Sequence, residues 1–215
     1  MKKKVAVAMS GGVDSSLTAA LLIEQGYDVI GVTMTLSDES REAGGSTAVS
    51  DAKKVADALN IPHYVVNYHK KFKDDVIKYF ISEYAKGRTP NPCVRCNNTV
   101  KFGSLLKDCL ELGADCVATG HYARIEQDEK TGRYLLKKGL DVRKDQSYVL
   151  YTLTQDVLKH FMLPLGNYSK EKTRELAGKM NLPVANKPEC QEICFIPNDD
   201  YKAYLKAKAP HILKP

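Results

Sequence analysis

Val5–Met9 is an unbroken apolar run, the pattern of a strand buried on both faces, and Leu17, Leu21 and Leu22 then recur at helical spacing. The same alternation returns along the chain. Val29–Thr35 reads as a strand, Ser50–Leu59 as a helix, Tyr64–Val66 as a strand, Phe72–Tyr84 as a long helix, Phe102–Leu112 as another helix and Cys116–Thr119 as a strand. Repeated βα units predict an α/β fold, a parallel sheet with helices on both faces. Polar stretches interrupt the pattern at Ser37–Thr47, which holds a Gly-Gly pair, and at Gly87–Asn98, a long connection with two prolines. Lys130-Thr131-Gly132 ahead of Tyr134-Leu135-Leu136 predicts a small hairpin inserted within Arg124–Leu140, followed by the polar stretch Asp141–Gln146. Helices are expected near Gln155–Phe161 and Lys170–Met180, an extended segment at Pro188–Pro197, and a short helix at Asp199–Ala207.

Composition narrows this picture. A chain of 215 residues with 43% hydrophobic and 27% charged positions can bury one substantial core. No window is long and apolar enough to cross a bilayer, and Met1–Lys4 leads straight into a strand where a signal peptide would have its apolar region. A cytoplasmic protein without membrane contact is expected. The net charge of +6 permits a polyanionic partner such as RNA without demonstrating one. Six cysteines are too few for a disulfide scaffold at this length, and four fall into Cys93-x-x-Cys96 and Cys190-x-x-x-Cys194, so metal or redox chemistry is the better reading of those four. Cys109 and Cys116 lie on a helix and a strand and read as packed small apolar residues.

Chemistry is densest at Ser10-Gly11-Gly12-Val13-Asp14-Ser15-Ser16, between the first strand and the first helix, where ligands of open α/β sheets bind. Two glycines let successive N–H groups turn towards one anion, the hydroxyls of Ser10, Ser15 and Ser16 add donors, and the helix start contributes its positive end. A pyrophosphate fits such a nest. The string lacks the Lys-Ser/Thr of a Walker A loop and the Gly-x-Gly-x-x-Gly dinucleotide fingerprint. It resembles the signature of the PP-loop ATP pyrophosphatases, with an adenine nucleotide alpha hydrolase-like, Rossmann-like fold, which cleave ATP between the α and β phosphates. The resemblance implies ATP held along Ala8, Met9, Ser10, Gly11, Gly12, Val13, Asp14 and Ser15, with Asp14 helping to hold Mg²⁺ and pyrophosphate. Met34 and Gly120, at the carboxyl ends of neighbouring strands, are placed for the adenosine moiety. Core packing for Met34 and a plain turn for Gly120 are the competing readings.

Arg88, Arg95 and Lys101 surround Cys93 and Cys96 in sequence, a positive neighbourhood that favours thiolate. Cys194 follows in an apolar context, Ile193-Cys194-Phe195-Ile196. Thiols from two such segments could exchange sulfur, share a cluster, or close a zinc knuckle.

Five strings occur together in order: Ser10–Ser16; Arg88-Thr89-Pro90-Asn91-Pro92 leading to Cys96-Asn97; Ala118-Thr119-Gly120-His121-Tyr122-Ala123; Lys144-Asp145-Gln146; and Ile193-Cys194-Phe195-Ile196. Together they resemble the tRNA-specific 2-thiouridylase family over essentially the whole chain. The resemblance implies ATP-dependent adenylation of the 2-carbonyl of the wobble uridine in the tRNA anticodon loop, then replacement of AMP by sulfur. It implies Cys194 as carrier of a persulfide received from a sulfur-relay protein or cysteine desulfurase, and Cys96 as the assisting nucleophile. Asn91, Pro92 and Cys93 would meet the target base, and Lys144, Asp145 and Gln146 the tRNA. Residues 1–200 would form the catalytic domain and residues 201–215 the start of a central tRNA-binding region, with its remainder and a C-terminal β-barrel beyond.

The chain departs from the family pattern in having cysteine at 93, where many members have Asp, and at 190, where many have Ser. A third thiol beside Cys96 and Cys194 is what a 4Fe–4S cluster with one open iron requires, so persulfide and cluster routes, the latter with Cys93, Cys96 and Cys194 as ligands, are both open here. Two other functions compete: a different PP-loop adenylating enzyme, which needs the phosphate loop but not the distant thiols, and a non-catalytic RNA- or zinc-binding module.

Overall fold

The computed structural model describes residues 2–36, 48–189 and 193–213. Five strands, β1 (Lys4–Ala8), β2 (Asp28–Thr35), β3 (His63–Asn67), β4 (Cys116–Ala118) and β7 (Phe161–Met162), form one parallel sheet in the order β3-β2-β1-β4-β7. Alternation along the central strands sorts side chains between two layers. Val5, Val7, Val29 and Cys116 face a layer with Ala19 and Leu22 of helix α1 (Val13–Glu24) and Ala52, Val55 and Ala56 of α2 (Ala48–Ala58). Ala6, Ile30, Val32 and Val117 face the other, with Phe72, Val76, Phe80, Val100, Phe102 and Leu105.

Two long rods build that second layer. The first joins α3 (His69–Phe72), a π segment at Lys73–Ile77 and α4 (Lys78–Ala85) without leaving helical dihedrals at either junction. The second joins α5 (Pro92–Cys96), a π segment at Asn97–Ser104 and α6 (Leu105–Glu111) in the same manner. The connection expected over Gly87–Asn98 therefore ends at Asn91, and both cysteines of the first pair sit on a helical turn. Local chemistry explains the correction. Asn91 Oδ1 accepts from the backbone N–H of Cys93 at 3.1 Å and of Val94 at 3.3 Å, and Pro92 occupies a first-turn position where its missing N–H costs nothing.

The inserted hairpin pairs β5 (Ala123–Gln127) with β6 (Tyr134–Lys138) antiparallel. The helix expected near Gln155–Phe161 ends at Leu158 as α7 (Gln155–Leu158), and Phe161 instead joins Met162 in β7, which completes the sheet edge beside β4. Helix α8 (Lys170–Lys179), capped by Ser169, packs on the outer face of α1 through Ala177 beside Leu17 and Leu21. Helix α9 (Tyr201–Lys208) is anchored by Tyr204 and Leu205 in the cluster that contains Phe80 and Phe195. The polar stretch Ser37–Thr47 and Cys190 lie outside the described residues.

Because the chain steps from β1 outward to β3 and returns to β4 on the other side of β1, the sheet has its switch point between β1 and β4. Ser10–Val13 and Thr119-Gly120 leave the carboxyl ends of these two strands, where a ligand crevice forms in open α/β sheets.

Candidate active site

The phosphate loop is held from several sides. Met9 N–H donates to Val32 O (2.9 Å), and the Thr33 hydroxyl donates to Met9 O (2.9 Å). Ser15 Oγ accepts from Ser10 N–H (3.1 Å), and the Ser15 and Ser16 hydroxyls both donate to Gly12 O, at 3.2 and 2.8 Å. Gly12 is the N-cap of α1 and brings no side chain to its amides. The positive end of a twelve-residue helix thus faces the loop concavity, an arrangement suited to an anion. Gly11 has φ +73°, and a β-carbon there would stand 2.6 Å from Ala48 O. At Gly120 a β-carbon would stand 2.9 Å from the Asp14 carbonyl carbon and 3.0 Å from Ser15 N, so the β4 exit packs directly against the first turn of α1.

Asp14 is the hub of a charged network. Lys170 Nζ lies 2.7 and 2.9 Å from its two carboxylate oxygens and 2.6 Å from Glu189 Oε1, while Lys144 Nζ reaches Glu189 Oε2 at 2.8 Å. The Tyr122 hydroxyl donates to Asp14 Oδ1 (2.9 Å), with Thr173 Oγ1 3.0 Å from the same phenolic oxygen. Burial and the Asp14 carboxylate push the Tyr122 pKa up, so it remains a donor. Sequence reasoning missed Lys170, Tyr122 and Glu189. One signal was present: Lys170 follows the Ser169 cap, placing a cation at the positive end of α8, an unfavourable position unless an anion compensates.

The thiols occupy different surroundings. Cys93 is exposed, whereas Cys96 is 7% exposed and packed in the cluster with Val100, Phe195 and Ile196. The thiolate expected from neighbouring cations is not the resting state of Cys96: burial pushes its pKa up, with Lys101 opposing and Cys93 adding to the rise. The arginines are engaged elsewhere. Arg88 pairs with Glu83, and Arg95 donates to Asp75 O (3.2 Å) and lies over the Tyr79 ring. Exposed Cys194 is set by its neighbours, since Phe195 packs edge-on against Phe72, Phe80 and Tyr204, and Ile193 packs on the same cluster. Both sulfur-bearing segments are therefore anchored in one core. Among the described residues no group of three or more His, Cys, Asp or Glu side chains is placed to hold a metal ion; Cys190 lies outside them. Cys109 is fully buried with its pKa pushed up to about 12 by burial, and Cys116 contacts Met162; both are packing residues.

Residues 3–198 match the model of the tRNA methyl transferase HUP domain family. The chain belongs to this family. Among its relatives, tRNA-specific 2-thiouridylase MnmA 1 of Caldanaerobacter subterraneus is 57% identical across 100% of this chain and 61% of its own length. The tRNA-specific 2-thiouridylase MnmA of Carboxydothermus hydrogenoformans is 55% identical with the same coverage, so the chain spans about three fifths of the length of these curated relatives. In structure it is similar to a U34-tRNA thiolase, NcsA from Methanococcus maripaludis, solved with its 4Fe–4S cluster (TM-score 0.55, 20% identity, 98% of this chain and 69% of that one). A 4-thiouridine synthetase solved with RNA and ATP matches with TM-score 0.57 at 18% identity, over 98% of this chain and 51% of that one. Both share the fold described above, the α/β architecture with a parallel sheet that the sequence predicts.

The remaining predicted positions in this member of the HUP domain family are tied into the scaffold. Asp145 accepts from Gly139 N–H (2.9 Å) and from the Ser147 amide and hydroxyl, which hold its carboxyl below the ordinary range against the opposing effect of burial. Gln146 exchanges hydrogen bonds with the Tyr122 backbone, its Oε1 accepting from Tyr122 N–H and its N–H donating to Tyr122 O. The triplet 144–146 thus braces the strip Gly120–Tyr122 beside Asp14. Met34 is half-buried at the end of β2, packed against the second layer. His121, two residues from Thr119 and bonded to its hydroxyl at 2.8 Å, has its pKa pushed down to about 3 by burial, with Lys101 acting in the same direction. Ahead of Val149, whose carbonyl accepts from Asn97 Nδ2 (3.2 Å), Tyr148 stands exposed.

Proposed function

We propose that this chain is the ATP-activating and sulfur-transferring portion of a tRNA 2-thiouridine synthase. The observation that carries the proposal is the convergence, in one fold, of an open helix-terminal anion nest with two thiol segments anchored in a common core. ATP would lie with its phosphates in the loop 8–15 and its adenosine beside Met34 and Gly120. Asp14 would contribute one carboxylate to Mg²⁺, the rest of the shell coming from phosphate oxygens and water. Its side chain is a third exposed, and its carboxylate retains lone pairs beyond those used by Lys170 and Tyr122.

Attack of the uridine 2-oxygen on the α phosphorus expels pyrophosphate and turns a poor leaving group into AMP. A persulfide on Cys194 then supplies sulfur. Either the persulfide attacks C2 and Cys96 cleaves the resulting mixed disulfide, or Cys96 first displaces sulfide, which attacks C2; both routes expel AMP and leave a Cys96–Cys194 disulfide. Cys96 must lose its proton for this step, and the Lys101 charge assists. A 4Fe–4S cluster, were it held by Cys93, Cys96 and Cys194, would supply sulfide in place of the persulfide.

Asn91, Pro92 and Cys93, at the exposed start of α5, would line the approach of the base, and Lys144, Asp145 and Gln146 would meet the tRNA. Tyr148 and Tyr151 support this side as an RNA surface. They are 61% and 71% exposed, while Val149 and Leu150 between them are buried, so both rings project from one side of a turn that packs on the Cys93–Cys96 helix. Exposed rings of this kind stack on splayed bases. Residues 1–200 form the catalytic unit in this reading, and 201–215 begin a region with further tRNA contacts. Sulfur would arrive from a relay protein or a desulfurase.

The test is anaerobic incubation with ATP, a tRNA substrate and a persulfide donor, with pyrophosphate measured and the modified nucleoside identified by mass. Wild type should release pyrophosphate and replace one uridine oxygen by sulfur. Cys96→Ser and Cys194→Ser should keep the first activity and lose the second. Thiolation that survives both substitutions overturns the assignment of the thiols, and pyrophosphate release with no thiolation in the wild type points to another PP-loop adenylating enzyme.

A further inference from the structure

Lys187 lies in a strap, residues 182–189, that no step above uses. Leu182 and Val184 bury the strap between α1, α8 and the sheet, and Arg174 donates to Lys187 O at 3.2 Å. From there the Lys187 ammonium, in a side chain only 19% exposed, donates to Gly11 O at 3.2 Å and to Asp51 Oδ2 at 2.9 Å. Asp51 is itself 7% exposed, in the first turn of α2 against the phosphate loop. A lysine this enclosed requires a paired anion, and Asp51 supplies it.

Peptide geometry gives the contact its consequence. The described chain has no cis peptide, so the Gly11 carbonyl and the Gly12 N–H point in opposite directions across one planar unit. An ammonium that holds Gly11 O on the α2 side therefore aims Gly12 N–H into the concavity at the start of α1. Gly11, at φ +73°, has the conformational freedom to let this peptide turn over. We infer that Lys187, fixed by Asp51, is a positioning residue that locks the Gly11–Gly12 peptide in its anion-binding orientation, and so sets the affinity of the loop for the polyphosphate of a nucleoside triphosphate.

This inference rests on the ATP reading of the loop, and the experiment separates the two. Calorimetric titration with Mg–ATP and with inorganic pyrophosphate is compared for wild type, Lys187→Gln, Lys187→Met and the double variant Asp51→Asn/Lys187→Met. The double variant removes one positive and one negative charge together, so the local net charge is unchanged, and Asp51, which Lys54 also pairs at 3.1 Å, is not left as a half-paired buried carboxylate if the single Met variant fails to fold. It should bind both ligands about tenfold more weakly or worse, whereas Lys187→Gln, which keeps an N–H for Gly11 O, should stay within about threefold of wild type. A folded double variant that binds as tightly as wild type, or a Gln variant as weak as the double, overturns the positioning role. Absence of binding by the wild type overturns the ATP reading itself.

Discussion

His121 shows how a single side chain can set the acid response of this fold. Its folded pKa is about 3 against 6.5 unfolded, so between these values the unfolded chain binds more protons than the native one. Stability is therefore complete above about pH 6.5 and falls as the solution is acidified; His63, lowered by burial and then by Lys53, acts in the same sense. The carboxylates with depressed values, such as Asp141 and Asp145, weaken the fold only lower, as pH falls below about 4. The urea midpoint should decline from about pH 7 to about pH 5, and His121→Asn should flatten that decline. An equal slope in the variant would assign the effect elsewhere. The His121 environment could not be seen in the chain order: the sequence placed the residue beside Gly120, but enclosure by Phe102 and Lys101 depends on a helix that arrives from twenty residues upstream.

At the scale of elements, the βα rhythm carried its own evidence, because apolar runs such as Val5–Met9 and Val29–Thr35 can be satisfied only by burial on both faces. The start of α5 was legible in principle and missed. Pro90 and Pro92 read as loop residues, yet Asn followed by Pro is also a helix start, and the Asn91 side chain decides between them by capping two amides. Asn91→Ala should cost about 1 kcal/mol and lower the thermal midpoint by a few degrees. Since that turn presents Cys93 and begins the helix of Cys96, sulfur transfer should fall further than pyrophosphate release. Equal loss of both would mean that the cap serves stability alone. Strand β7 was illegible for another reason: two residues carry no periodicity, and Phe161-Met162 becomes a strand only because β4 offers it an edge.

For the whole molecule, the central fact is that one aromatic core joins the thiol segments to the sheet. Phe195 lies 2% exposed between Phe72, Phe80 and Tyr204, and thereby fixes its neighbour Cys194. Phe195→Ala should destabilise by about 3 to 5 kcal/mol. Where enough folded protein remains, ATP binding at the start of α1 should persist while sulfur transfer is lost; parallel loss of both in the folded fraction would deny that the core anchors the thiol. The phosphate loop and both thiols were readable as motifs, because their chemistry is local. The ionic network of Asp14, Lys170, Glu189 and Lys144 was not, because it joins four distant stretches whose lysines and carboxylates look like ordinary surface charges until the fold assembles them. The enclosure of Cys96 has one more consequence, for durability. A sulfur kept neutral inside a hydrocarbon wall reacts slowly with peroxide and stray electrophiles, so under the proposed function Cys96 stays reduced between turnovers, while exposed Cys93 and Cys194 meet such reagents first.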